Sequence, residues 1–234
     1  MTEILSAANV EEFKSTLAAI DIHVPARTQG RKKDQTERYS IAHLMASLPS
    51  EEIPFPMSLN HQERPDFLLT MANRRIGIEH IEAVPENHVR ASIFRQRGVG
   101  PQVHLLQKHR PGESSRSNNA ILGDIIQDRA GAPWVGNEVE VEWEEVMLHC
   151  IRDKVKILNK PGFAKFEENW LLIYNNWPQP GVHHKEASSL LTNSCVAEGL
   201  LEEFCRIFVL DSKVLCEISK GTRLLPVKAP SAGA

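Results

Sequence analysis

The run Trp170-Leu-Leu-Ile-Tyr-Asn-Asn-Trp177 restricts the possible folds more than any other segment of this chain. It is almost wholly apolar, yet far short of the ~20 residues needed to cross a bilayer. A strand with one wet face alternates apolar and polar side chains. A strand without that alternation is covered on both faces. The surrounding pattern offers the covering layers. Helical spacing places helices over 1–20 (Ile4, Leu5, Val10, Phe13, Leu17), 35–48 (Ile41, Leu44, Met45, Leu48), 139–159 (Val141, Leu148, Ile151, Val155, Leu158) and 186–205. Pro49 closes the second of these, and "KPG" at 160–162 closes the third. Further strands are expected at 65–71, 75–83, 208–211 and 214–218. Helices and strands in this order describe an α/β sandwich.

At 234 residues the chain is long enough for one sizeable core. "EEIPFPMS" (51–58) reads as a proline-rich connector. Residues 85–136, rich in Gly, Pro, Ser and Arg, read as an insertion with one or two short helices, one near 119–128. Residues 226–234 read as a frayed tail. No internal repeat is visible. Hydrophobic content of 41% and charged content of 24% are those of an ordinary globular protein. The N-terminal segment lacks the basic-then-apolar layout of a secretory signal, so a cytoplasmic protein is expected, without membrane association. Cys150, Cys195, Cys205 and Cys216 are far apart and lie in apolar surroundings. They read as buried free thiols, not as zinc ligands.

The net charge of −3 argues against coating nucleic acid by bulk charge, but charge is unevenly distributed. Residues 24–40 hold Arg27, Arg31, Lys32, Lys33 and Arg38. Residues 88–116 hold Arg90, Arg95, Arg97, Lys108, Arg110 and Arg116, with His88, His104 and His109 among them. "NEVEVEWEE" (137–145) is strongly acidic. The two basic segments suit either a phosphate-binding surface or solvated loops.

The segment "RPDFLLTMANRRIGIEHIEA" (64–83) carries an acid in each of its two apolar runs, Asp66 and Glu79. Side chains alternate along a strand, so Glu79 points away from Ile76, Ile78 and His80, with Gly77 leaving bare space on its face. Antiparallel pairing through "ANR" would bring the two carboxylates near each other. They would repel, and a divalent cation relieves that by taking oxygens from both.

This layout resembles the PD-(D/E)XK, or restriction-endonuclease-like, nuclease superfamily. The resemblance rests on Pro65-Asp66, the short gap, and Glu79-His80-Ile81 within "IGIEHIEA". It also rests on a helix before the hairpin and on "EVMLHCIRDKVKIL" leading into "WLLIYNN". It covers roughly 35–84 and 141–177 and leaves 85–136 as an insertion. It implies a restriction-endonuclease-like αβββαβ core, a mixed central sheet flanked by helices, in a single nuclease-like domain. It implies Mg²⁺, with Mn²⁺ as the alternative ion, and nucleic acid as partner, with DNA the commoner substrate. Homodimers that cut both strands are frequent in the family.

One position departs from the family pattern: Ile81 stands where a lysine usually follows two residues after the glutamate. His80 would face the other way, so the amine is sought on the 139–159 helix. Lys154 lies about 80° from the centre of its apolar stripe and could reach a site beyond the sheet, or could simply snorkel at its rim. Lys156, about 120° away, and Lys160 face solvent. The resemblance also implies a third metal-binding acid on the first core helix, where Glu37 lies about 30° from the stripe centre. "Asp34-Gln-Thr-Glu37" equally has the form of a capping box, in which Glu37 would only bind a backbone N–H. Glu82 is expected at the surface, as are His183 and His184. No GxSxG elbow, HExxH pair or phosphate loop competes with this reading.

The expectation is therefore a metal-dependent nuclease. Asp66, Glu79 and Glu37 would hold the ion, Lys154 would aid the attacking water, and Arg90, Arg95, Arg97, Lys108 and Arg110 would grip the backbone. The rival, favoured by Ile81, is a catalytically inactive nuclease fold serving as a nucleic-acid-binding or protein-interaction module. A third alternative is an α/β protein whose two acids are surface strand residues.

Overall fold

Residues 170–173 stand in the middle of a mixed sheet with helices packed on both faces. The computed structural model describes residues 1–129 and 131–231. Within these residues the chain begins with β1 (Thr2–Ala7), α1 (Val10–Ala18), α2 (Lys33–Ser47), β2 (Met57–His61), β3 (Phe67–Met71) and β4 (Arg74–Ala83). It continues with α3 (Glu86–Gln96), α4 (Asn118–Gln127), α5 (Glu138–Leu158), β5 (Glu168–Asn175) and α6 (His184–Ala197). It closes with β6 (Arg206–Asp211), β7 (Val214–Ile218) and β8 (Thr222–Pro226). The strands lie side by side in chain order, β1 to β8. Neighbours are antiparallel except β4–β5 and β5–β6, which are parallel. A parallel pair needs a crossover, and helices supply both: α3 to α5 precede β5, and α6 precedes β6.

Each face of the sheet has its own apolar core. Phe13 and Leu17 of α1, with Ile41, Leu44 and Met45 of α2, pack on Leu59, Leu69, Ile78 and Leu172. On the opposite face, Trp143, Met147 and Ile151 of α5 and Leu191 of α6 pack on Leu171, Ile173, Ile207 and Val209. Burial of each large side chain contributes about 1.5–3 kcal/mol, so the central strand, apolar on both sides, unites two such cores. An α/β fold is thus present as expected.

Several elements differ from their sequence reading. Residues 1–20 do not form one helix. Thr2–Ala7 is an edge strand paired with β2, and α1 starts only after Asn9, whose side chain accepts the N–H groups of Glu11 and Glu12. The connector read at 51–58 ends in β2, which lies between β1 and β3. The helix expected to reach 205 stops at Ala197, because Gly199 adopts φ 66° and turns the chain. Thr222–Pro226 forms β8 at the sheet edge. The tail expected to be frayed is held at its start, where the Lys228 N–H donates to Ser47 Oγ; residues 232–234 lie outside the described residues. Val141 is exposed, and Trp143 and Met147 carry the first turns of the buried face instead. Cys150, Cys195 and Cys216 are buried, but Cys205 is exposed. Among the described residues, no helix is long and apolar enough to cross a membrane.

Candidate active site

The β3–β4 register brings the two hairpin acids to one place. Phe67 pairs with Ile78, so one more step along the ladder sets Asp66 opposite Glu79. Directly opposed residues of an antiparallel pair share a face. That face is the one covered by α5, whereas Ile76, Ile78 and His80 face α2. Asp66 is fastened into the ladder by the His80 backbone N–H, which donates to its Oδ2 at 2.8 Å.

Lys154 extends from α5 to both acids. Its Nζ donates to Glu79 Oε2 at 2.6 Å and approaches Asp66 Oδ2 at 3.3 Å. All three side chains are buried, with Lys154 at 9% exposure. The long aliphatic stem crosses the rim of the helix, and the ammonium ends beneath the sheet hairpin.

Glu37 is also buried, but on the α2 side. Its Oε2 accepts from His61 Nε2 at 2.9 Å, and its Oε1 pairs with Lys33 Nζ at 2.7 Å. Lys33 in turn donates to Asp66 Oδ1 at 3.0 Å, so it joins the two acids across the end of the sheet. Glu37 is therefore not a helix cap. Gln35 performs that task, its side chain accepting the Lys32 backbone N–H. Three carboxylates thus face two ammonium groups.

The electrostatics divide the acid pair. Burial alone would raise Asp66, but Lys154, the His80 N–H and Lys33 together bring it below the usual carboxylate value. Burial, with the charge of Asp66 beside it, pushes Glu79 up despite Lys154. Burial holds His80 neutral, down to about 3. The His80 ring spans β4 and α2, its Nε2 at 3.1 Å from Ser40 Oγ, whose hydroxyl donates to the Thr36 carbonyl.

Comparison with protein-family models, with curated proteins and with solved structures gave no match. The site is therefore read from its own chemistry.

Whether a cation suits these residues turns on the unused acceptors. Among the described residues, Glu79 Oε1 is buried and has no side-chain hydrogen-bond partner, and the Asp66 backbone N–H lies beside the carboxylate. An ionised carboxylate oxygen in that condition is costly, and a cation is the partner it lacks. The surplus of one carboxylate over the ammonium groups points the same way. Asp66 and Glu79 fit a hard divalent ion of the Mg²⁺ kind, which needs only one or two protein carboxylates. The three-acid set expected from sequence is not assembled. Glu37 meets Asp66 only through Lys33, and among the described residues no three His, Cys, Asp or Glu side chains group to hold a metal.

Gly77 does not leave bare space beside Glu79. A Cβ there would come within 2.7 Å of Phe166 and 3.1 Å of Pro65, so the glycine admits these neighbours and the pocket wall is closed. Glu82 is not a free surface acid, since its Oε1 accepts from Arg27 at 2.6 Å, Arg31 at 3.0 Å and Asn176 at 2.7 Å. His184 is not free either; it pairs with the half-buried Asp211 at 3.1 Å, while His183 is exposed.

The basic residues selected at 88–116 lie in and around the insertion helices and are not one free surface. Arg90 donates to Asn87 and Ser115, and Lys108 donates to Glu138 while lying over the Trp134 ring. Arg95 lines a small cavity with His88 and His104. Arg97 and Arg110 are exposed. The cations beside the acids are others. Arg27, Arg31, Lys32 and Lys33 line an open groove of about 460 Å³ that also touches Lys154 and Glu82. Of the site groups, Lys33 and His61 were not singled out from sequence as site residues. Lys33 stands one turn before Glu37, a spacing that signals a contact. His61 lies on a strand whose sequence gave no sign of pairing.

Proposed function

We propose that this protein is a metal-dependent nuclease with a restriction-endonuclease-like core, acting on DNA. The observation that carries the reading is the shared amine: Lys154 bonds Asp66 and Glu79 together, and Glu79 keeps one buried oxygen without a side-chain partner among the described residues. An amine from α5 stands in for the lysine that Ile81 replaces. The flanking order of α2, the β2–β4 meander, α5 and β5 accords with the core the resemblance implies.

Asp66 and Glu79 would hold Mg²⁺ or Mn²⁺, which when bound polarises a phosphate and acidifies a water. The His80 N–H fixes the Asp66 carboxylate through Oδ2 before substrate arrives, and Lys33 occupies Oδ1 until an ion displaces it. Lys154, held within the acid pair, can orient a water by hydrogen bonding and offset charge that develops on the phosphate. Glu37 positions Lys33 and balances its charge.

One observation favours the inactive-module reading: among the described residues no three acidic, histidine or cysteine ligands converge. Plasmid DNA with Mg²⁺ separates the two. The parent protein should nick or linearise plasmid, and Asp66→Ala should slow this by at least about a hundredfold, as for groups that build a metal site. Cleavage that survives Asp66→Ala, or a parent protein with no activity on any DNA form, overturns the proposal.

A further inference from the structure

We infer that the groove walled by Arg27, Arg31, Lys32 and Lys33 seats the phosphodiester backbone leading to the acid centre, a role the 88–116 basic residues do not share. This deepens the nuclease reading and rests on it for the identity of the anion.

The first support is charge. The groove has Lys154 at its acid end and Glu82 as the acid among its described lining residues, within a chain of net charge −3. Field lines from such a concentration focus in a concave surface and draw polyanions. Position is the second. Lys32 and Lys33 stand at the N-terminus of α2, the positive end of the helix dipole, where acids are favoured and cations are opposed. A phosphate placed there meets both side-chain charge and helix end.

Donor accounting gives the third. Arg31 pairs with Glu82 through one Nη, while its Nε is buried and has no partner among the described residues. Glu82, itself held by the Asn176 amide, accepts from Arg27 and Arg31 and ties their loop to β4, so the guanidinium groups are fixed before an anion binds. The lining also holds aliphatic side chains, Ile81 of β4 with Val89 and Ile93 of α3, and the described lining includes no Phe, Tyr or Trp to stack a base. Cations and aliphatic carbon in one groove match phosphate and sugar. Such a seat reads backbone, not sequence.

The test is fluorescence anisotropy with a fluorescein-labelled DNA duplex in EDTA, so that binding is read without cleavage. Arg31→Gln/Lys32→Gln should weaken binding about tenfold at moderate salt, and should lower the slope of log affinity against log salt by about two. Arg31→Lys/Lys32→Arg should keep both. Arg97→Gln/Arg110→Gln, exposed and outside the groove lining, should stay within about twofold of the parent. Lys32→Gln alone, at an exposed position, should lower the slope by about one and serves if the double variant folds poorly. Parent-like binding by the groove variants, or an equal loss in Arg97→Gln/Arg110→Gln, overturns the inference. If groove-dependent binding is found without Mg²⁺-dependent cleavage, the inference stands and the nuclease reading fails. If cleavage is found while groove variants bind normally, the reverse holds.

Discussion

At the C-terminal side of the sheet, Glu52 and Glu217 meet Arg206 and Arg223; under the β3–β4 hairpin, Asp66, Glu79 and Glu37 meet Lys33 and Lys154. In the first cluster the charges match two for two, and all four carboxylate oxygens have a guanidinium partner. Arg206 also lies over the Trp170 and Phe208 rings, at 4.7 and 4.9 Å from their centres. Planar forks that fill every acceptor fix strand ends in place and leave nothing to bind. The second cluster has three acids, two lysines acting as point charges and, among the described residues, a Glu79 oxygen that no side chain serves. Both clusters involve buried acid, so burial does not mark a site. The difference lies in stoichiometry and in the choice of amine over guanidinium.

Removing one cation from each cluster should divide them most sharply. Lys154→Met leaves two buried carboxylates without their shared partner and should cost about 3 kcal/mol or more in EDTA. Mg²⁺ should return part of that loss, and should stabilise this variant more than it stabilises the parent. Arg206→Met should cost about 2 kcal/mol, from ion pairing and ring contact together, with no recovery on adding Mg²⁺. Denaturant titrations with and without Mg²⁺ read both. Equal recovery in the two variants would erase the distinction drawn between the clusters.

The sequence reveals the second cluster better than the first, for a physical reason. Asp66 and Glu79 lie on adjacent strands joined by a tight turn, where register follows from local spacing. Lys154 stands out because helical geometry puts a lysine at the rim of an apolar stripe. Glu52, Arg206, Glu217 and Arg223 come from four separate elements, and their meeting depends on the order of strands at the edge. The same limit hides β1, β2 and β8. "TEILSA" and "MSLNH" are short edge-side segments with little apolar alternation, and pairing with neighbours makes them strands. Helix-forming spacing in 1–20 conceals β1 for that reason, and the proline-rich look of 51–58 conceals β2 and His61 with it. Lys33 was visible as a charge in a basic run. Its contact with Asp66, 33 residues away, was not.

A smaller effect sharpens the claim that the lysine-built cluster has room for a cation. The Lys33 side chain is 71% exposed, yet its ammonium holds Asp66 Oδ1, an oxygen that an incoming ion would want. Glu37 and Asp66 outweigh the cost of its burial and raise its pKa, so it stays charged throughout the neutral range. Lys33→Met should therefore tighten Mg²⁺ binding by about tenfold, the effect of one screened like charge at contact distance. Isothermal titration calorimetry reads this without substrate. Unchanged or weaker binding would mean that Lys33 and the ion do not compete for Asp66.

The smallest effect is also the most direct comparison, because the two clusters should respond to pH with opposite sign. The Arg223 hydrogen bond, with Arg206, lowers Glu52 below its ordinary value of 4.5. Between its folded and unfolded values the unfolded chain binds the extra proton. Its stabilisation is thus complete above about 4.5 and is lost as pH falls through the folded value. Burial, with Asp66 beside it, raises Glu79 above 4.5, so here the folded chain retains the proton longer. Its contribution favours folding at and below about 4.5 and fades as pH rises through the folded value. The stability of Glu79→Gln relative to the parent should therefore climb as pH rises above about 4.5, in EDTA. That of Glu52→Gln should fall as pH rises toward about 4.5. Two curves of the same sign would show that Glu79 is already satisfied as fully as Glu52, and the argument for an added cation would lose its electrostatic half.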